Sequence, residues 1–257
     1  MPSLPARALQ HVYAEGAVLL AVLGWWLTAR GLPAFVLPGP QEVLFRLWTI
    51  LADPNLQWHV WVSFGRVVTA VVIAMAIAVV LAMLARRSPL VTAVLEQRVL
   101  VILNGFPSAG WAILGVVWFQ VTTGTVIFIE VAIVLPFCLV NALEGFRNID
   151  PELEEMGRSL TRSFWRRFLR LDLPLVMPFL AAGLRIAYGI CWKIALVAEL
   201  FGSQSGLGFL LTRAQASADA GMVFACCFVI VAMVFLVDHL VLRPLARRFS
   251  RNRGVTP

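Results

Sequence analysis

Few residues in this chain have types suited to chemistry, and their spacing excludes most of it. Lys193 is the single lysine beside twenty arginines. A nucleotide-binding loop of the GxxxxGK[ST] type needs Lys followed by Ser or Thr, whereas Ile194 follows Lys193. The chain therefore hydrolyses no nucleotide by that route. Cys138, Cys191, Cys226 and Cys227 show no metal-ligand spacing with the three histidines. They read as small apolar packing residues, and no metal site is expected. With no Ser/His/Asp or Cys/His constellation, an enzyme is not expected either. What remain are ionisable residues embedded in apolar sequence, chiefly Glu130, Arg185, Lys193 and Glu199. Charges so placed are costly and are functional candidates for that reason.

The elements that must carry them are long apolar runs. The 257 residues are 60% hydrophobic and 14% charged, whereas soluble domains are about 25% charged. Disorder requires the opposite balance. Nucleic-acid binders cluster basic residues on one soluble face, while these arginines punctuate apolar stretches, so lipid is the expected surroundings and nucleic acid is not. Six runs approach the roughly 20 helical residues that cross a bilayer core. They are residues 14–30, 61–85, 97–119, 124–146, 175–200 and 222–242. The first is the least apolar, and a cleaved signal peptide is its rival reading. No small-x-small cleavage site follows Trp25-Trp26, which favours a retained span. The runs are continuous rather than alternating, which excludes a strand barrel. The expected fold is an all-α membrane protein with six transmembrane helices in one domain, 1–257.

Charge orients this array. With the N-terminus in the cytoplasm, the inner loops and ends hold Arg7; Arg86, Arg87 and Arg98; Arg147, Arg158, Arg162, Arg166, Arg167 and Arg170; and Arg243, Arg247, Arg248, Arg251 and Arg253. The outer loops hold only Arg30, Arg46 and Arg213. This asymmetry follows the positive-inside rule and predicts that both termini are cytoplasmic.

The loop 147–173 concentrates the polar residues. Asp150-Pro151 is a helix start, with Asp as cap and Pro at the first helical position. Glu152, Glu154 and Glu155 follow, where carboxylates suit the positive end of a helix. Leu153, Met156 or Gly157, and Leu160 recur at helical spacing. Ser163 is placed to cap a second short helix carrying Trp165, Phe168 and Leu169, which Leu173-Pro174 would end. Such a loop is either an interfacial amphipathic helix or a helix that docks into a groove on a cytoplasmic partner.

The residue order decides between them. The run Glu155-Met156-Gly157-Arg158-Ser159-Leu160-Thr161-Arg162-Ser163-Phe164-Trp165, followed by Leu173-Pro174, resembles the EAA loop of ABC-importer permeases. That pattern runs E-A-A-x-x-L-G-A-S before a hydrophobic-Pro pair. Leu37-Pro38-Gly39-Pro40 resembles the family's L-P-S-P segment, and Ser63 with Arg66 its S-x-x-R. Pro136, Asn141 and Gly145 fit P-x-x-x-x-N-x-x-x-G. Ala198-Glu199-Leu200-Phe201-Gly202 with Ser205-Gly206-Leu207-Gly208 resembles the A-E-L-x-G-x-x-S-G-L-G of the nitrate/sulfonate/taurine branch. The chain departs from the pattern where Met156, Gly157 and Thr161 stand for two Ala and a Gly, and where Ser108 and Ile113 stand for Pro. Gln120 replaces a Gly, and Thr122-Thr123 a Gly-Glu.

The resemblance implies a type I importer fold and one permease half of an ATP-driven importer in the bacterial inner membrane. Its partners would be a second copy of the chain, two cytoplasmic ATPase subunits that carry the ATP and Mg, and an extracytoplasmic substrate-binding protein. No cofactor would be bound by the chain itself. Glu154, Glu155, Met156, Gly157, Arg158, Leu160, Thr161, Ser163 and Trp165 would form the ATPase-docking surface. The translocation-path candidates are Asn104, Trp111, Trp118, Gln120, Glu130, Phe137, Asn141, Trp192, Lys193 and Glu199. The branch moves small organic solutes, and an anion such as a sulfonate, taurine or nitrate is the expected cargo. Lys193 lies off the branch pattern and reads either as a contact for an anionic solute or as an ion-pair partner of Glu130. Glu199, part of the family pattern, reads as a structural or gating carboxylate. The alternative from another class is an ion-gradient-driven secondary transporter or channel using Glu130 and Lys193.

Overall fold

The computed structural model describes residues 4–161 and 163–251, with side chains for 13, 15–161 and 163–249. The side chains of Arg7, Arg162, Arg251 and Arg253, part of the charge count above, lie outside the described residues. Every regular element among the described residues is helical. In chain order these are α1 (Leu4–Arg30), α2 (Pro40–Ala52) and α3 (Pro54–Arg87). They are followed by α4 (Pro89–Gly105), α5 (Ser108–Phe119), α6 (Thr123–Arg147) and α7 (Pro151–Leu160). The last three are α8 (Phe164–Gly202), α9 (Leu207–Ala216) and α10 (Ala220–Phe249). Proline opens α2, α3, α4 and α7. Its fixed φ suits the first turn, and the N–H it lacks would have no partner there.

The chain forms two compact units. One comprises Met1–Trp58 with Leu210–Val229, the other His59–Phe209 with Ile230–Pro257. In the first unit, the Trp25 indole donates to the Pro38 carbonyl at 3.0 Å and stacks on Phe224 and Phe228. Helix α2 was not anticipated from the sequence. It buries Val43 and Ile50, seven residues apart on one face, and exposes Leu44, Phe45, Trp48 and Leu51.

The second unit is held by small residues. Val67, Ala70, Val71, Ala74, Ala78, Ala82 and Ala85 recur at three- and four-residue steps along the buried face of α3. Without a hydrophobic driving force in lipid, such small residues let helices approach closely and gain dispersion contacts. Helices α6 and α8 pack along much of their length. A Cβ on Gly183 would stand 2.8 Å from the Asn141 Cβ, and one on Gly145 would stand 2.6 Å from Val176. Cys138, Cys191 and Cys226 are buried and Cys227 is exposed, all as free thiols.

Four helices, α3, α6, α8 and α10, are long and apolar enough to cross a membrane. The expected third span, 97–119, is not continuous. It breaks at Phe106-Pro107, where α4 and α5 meet at 86°, and counts as a fifth crossing if the bent pair is one span. Pro107 removes an amide donor and forces Phe106 into extended backbone (φ −78°, ψ 126°), which ends the helix before it.

Leu173-Pro174 acts differently from expectation. The helix that starts at Phe164 continues into the span through a π-turn, Phe168–Asp172. The Leu173 amide reaches back five residues to the Phe168 carbonyl, and the wider turn makes room for the Pro174 ring. The same device precedes Pro244, where the Arg243 amide bonds the Asp238 carbonyl.

Candidate functional site

Two segments far apart in sequence, with Thr123 beside them, build one buried polar knot in the second unit. His59, Ser63 and Arg66 lie on one face of α3 at helical spacing. Glu199 comes from the last turn of α8, and Ser203–Gly206 from the loop after it. The Ser63 Oγ lies 2.7 and 2.8 Å from the two Glu199 oxygens and accepts the Leu207 amide at 2.8 Å. Arg66 Nη1 donates to Glu199 Oε1 at 2.9 Å and to the Ser205 carbonyl at 2.8 Å. Its Nη2 donates to Thr123 Oγ1 at 2.9 Å and Ser205 Oγ at 2.8 Å. The Gly208 amide completes the shell of Glu199 at 2.9 Å, and the Gly206 amide donates to His59 Nδ1 at 3.0 Å.

Ser63, Arg66 and Glu199 are 1%, 3% and 1% exposed. A buried ion pair repays its desolvation only when its remaining valences are met, and here they nearly all are. Gly206 makes the wrap feasible. Its φ of +106° excludes ordinary side chains, and a Cβ there would sit 2.2 Å from Glu199 Oε1.

The second polar cluster gathers the loop around the end of α3. Asp150 caps α7 by accepting the Glu152 amide at 2.9 Å. Arg86 then joins Glu154 of α7 at 2.7 Å to Asp172 of the α8 π-turn at 3.3 Å. Arg158 adds a second contact to Glu154 at 2.6 Å, and Arg87 lies 4.4 Å above the Phe164 ring. The Arg86 guanidinium, helped by Arg158, holds the Glu154 carboxyl below the ordinary carboxylate range despite partial burial. These groups line a cavity of about 300 Å³. Gly157 faces the same way. A Cβ on it would come 2.4 Å from Leu171, so only Gly lets α7 lie this close to α8. On the other side of the loop, Met156, Leu160 and Trp165 are 48%, 76% and 66% exposed, and Glu155 is exposed beside them. One face of α7 is thus tied to the spans by ions and close packing, and the other presents apolar side chains outward. Ser163 starts the next helix without a side-chain cap; its amide donates instead to Thr161 Oγ1 at 3.2 Å.

Residues 74–251 match the family described as the binding-protein-dependent transport system inner membrane component. That is more than half of the chain, and it includes the loop and the Glu199 half of the knot. The chain belongs to this family. It is a multi-pass membrane protein and a permease, not an enzyme. Among curated relatives, the taurine transport system permease protein TauC of Escherichia coli K12 is 30% identical over 246 residues, covering 93% of this chain and 88% of the relative. The putative aliphatic sulfonates transport permease protein SsuC of Bacillus subtilis 168 is 27% identical, covering 93% and 86%. The nitrate import permease protein NrtB of Leptolyngbya laminosa is 25% identical, covering 93% and 88%.

Within the permease, the departures from the family pattern have local explanations. Thr123 binds Arg66, and Thr122 caps α6 by accepting the Thr125 amide at 3.2 Å. Gln120 occupies φ 59°, ψ −164°, backbone that a Gly would adopt freely. The expected path residues do not converge on one site. Asn104, Trp118, Gln120 and Lys193 are exposed, whereas Trp111, Phe137 and Asn141 are half-buried. The Asn141 amide donates to the Phe137 carbonyl at 2.8 Å and sits in the α6–α8 contact. Trp111 packs on Phe106 and Phe128 in an aromatic cluster shared with Trp118 and Phe119.

Glu130, Trp192 and Glu199 are buried. Of the two readings of Lys193, the ion pair with Glu130 is not formed among the described residues. Glu130 is enclosed in the bundle, whereas Lys193 is exposed. Arg185 instead pairs with Asp238 at 2.5 and 3.2 Å, and the Tyr188 hydroxyl donates to the Met233 carbonyl at 3.2 Å. Sequence reasoning missed Arg86, Asp172 and Asp238 as partners. A lone acid in an arginine-rich apolar run was the available signal, two residues before Pro174 at Asp172 and six before Pro244 at Asp238.

Proposed function

We propose that the chain is one permease half of an ATP-driven importer and that two identical copies form the translocation path, with six spans each and α1 as the first. Six helices enclose a path less readily than twelve, and a two-fold pair is the usual closed solution. Two cytoplasmic ATPase subunits carry the ATP and Mg, and a binding protein delivers the solute from outside. Both termini lie in the cytoplasm, in keeping with the arginine distribution. The cargo is a small organic anion, a reading supported by the taurine, aliphatic sulfonate and nitrate named for the relatives.

The observation that carries this reading is the two-faced α7. Met156 and Leu160 on α7, with Trp165 at the start of α8, are exposed apolar side chains of the kind that enter a groove on a partner. Arg86 on the opposite side links the same helix to α3 and α8. Closure of the ATPases on nucleotide pulls α7, and the ionic link passes that displacement to the spans, which rock between outward-open and inward-open states.

The test is coupling in proteoliposomes containing the permease, its ATPase and its binding protein. Glu155→Arg and Trp165→Ala are expected to abolish uptake-linked stimulation of ATP hydrolysis while the ATPase alone keeps its activity. Wild-type stimulation in both variants would refute the docking role.

A further inference from the structure

Helix α8 and the second half of α10 form a groove of about 450 Å³ that the knot and the loop do not use. Tyr188 and Trp192 line one wall and Phe235 the other, with Arg185 and Asp238 together and Lys193 apart from them. Asp238 takes Arg185 at 2.5 Å and also Arg243 at 2.7 Å, so its charge is spent. Lys193 is exposed and makes no ion pair or hydrogen bond among the described residues. An ammonium within an apolar span is unfavourable against lipid, which argues that this face of α8 meets water or a ligand. Trp192 is 1% exposed and lies edge-on to the Tyr188 ring, so the two form the floor of the groove. The Arg185–Asp238–Arg243 cluster keeps a net positive charge of one, so together with Lys193 the groove sets excess positive charge on an apolar wall, which selects for a compact organic body with an anionic group. The groove volume falls in the range of small-molecule sites, roughly 300 to 1,000 Å³.

We propose that this groove is the solute contact of the path, with Lys193 holding the anionic group and the exposed Val231 and Phe235 holding the organic body over the buried Tyr188 and Trp192. The proposal rests on the reading of the chain as the path-forming subunit. Its occupant is the solute in transit; a membrane lipid is the competing occupant. The volume of the groove fits a small solute better than a long diacyl chain, and its excess positive charge fits an anionic one. Lys193 is then a specificity residue, which the family pattern does not supply.

The test uses the full transporter reconstituted with its ATPase and binding protein. Uptake of taurine, of alkanesulfonates of increasing chain length and of nitrate is compared in vesicles of phosphatidylcholine alone and with added phosphatidylglycerol. Lys193→Met is expected to lower anion uptake by roughly tenfold or more, and Lys193→Arg to restore most of it. Phe235→Ala is expected to shift the preference among alkanesulfonate lengths and to leave nitrate, which has no organic body, much less affected.

An unchanged uptake profile in Lys193→Met overturns the proposal. A loss confined to vesicles with phosphatidylglycerol assigns the groove to lipid and overturns it too. A fall in the thermal midpoint of Lys193→Met would mean that the ammonium holds the fold, with the same consequence. Absence of binding-protein-stimulated hydrolysis in the wild type would instead refute the underlying permease reading. The two failures are therefore distinguishable.

Discussion

Gln120 shows how one residue records a departure from its family's pattern. Its backbone lies at φ 59°, ψ −164°, a region that Gly enters freely and other residues enter at a cost of about 1–3 kcal/mol. Neighbouring bonds keep it there: its amide donates to the Val116 carbonyl at 2.9 Å, and its own carbonyl accepts the Thr125 hydroxyl at 2.5 Å. Gln120→Gly is expected to relieve the strain. After the greater loss of freedom that Gly suffers on folding, the net gain is about 1 kcal/mol. Gln120→Ala keeps the strain and should give no gain. Thermal unfolding of the two purified variants checks this, and equal midpoints would remove strain as the description of this turn. Gly206 illustrates the opposite case, since its φ and the closeness of Glu199 leave no room for another residue.

Among the elements, α7 carries the clearest mechanical demand. Its outward face must engage a partner, and its inward face must not slip. Arg86 meets this demand by holding Glu154 and Asp172 together, while Gly157 allows α7 to settle against Leu171. Arg86→Glu is expected to lose most coupled hydrolysis, and Arg86→Glu with Glu154→Arg to recover part of it, because the swap rebuilds one of the two contacts. Failure of the double variant to exceed the single one in uptake per ATP would contradict the clasp.

The same clasp sets a pH dependence. The Glu154 value is depressed below its ordinary 4.5, so its ionised contact is fully present above about 4.5 and is lost as pH falls through the lower folded value. Coupling should therefore persist at pH 5 and fail only in stronger acid. Uptake per ATP hydrolysed, measured across that window, is the check.

For the whole molecule, orientation rests on the arginine count and on α1. If α1 crosses and the bent α4–α5 pair counts as one span, the number of crossings is even and both ends lie on one side. If α1 lies on the surface, the ends lie on opposite sides. Alkaline phosphatase and fluorescent reporters fused to each end separate these outcomes. The expected result is a silent phosphatase and a fluorescent reporter at both termini. An active phosphatase at either end would overturn the topology.

Composition alone determined that this is a helical membrane protein without a nucleotide loop of its own. Spacing alone determined the capped helix at Asp150-Pro151. Those properties are local, because apolar length, proline position and helix capping depend on residues within a few turns of one another. Tertiary structure decided what lay between distant positions. It joined Ser63 and Arg66 to Glu199 across 133 or more residues, so that two separate motif segments became halves of one knot. It also broke the third apolar run at Pro107, joined the short second loop helix to the following span through a π-turn, and left Lys193 apart from Glu130. Periodicity gives the face of each helix but not the rotation of one helix against another. That rotation follows from which side chains interdigitate along the pair, and it set the partner of each buried charge.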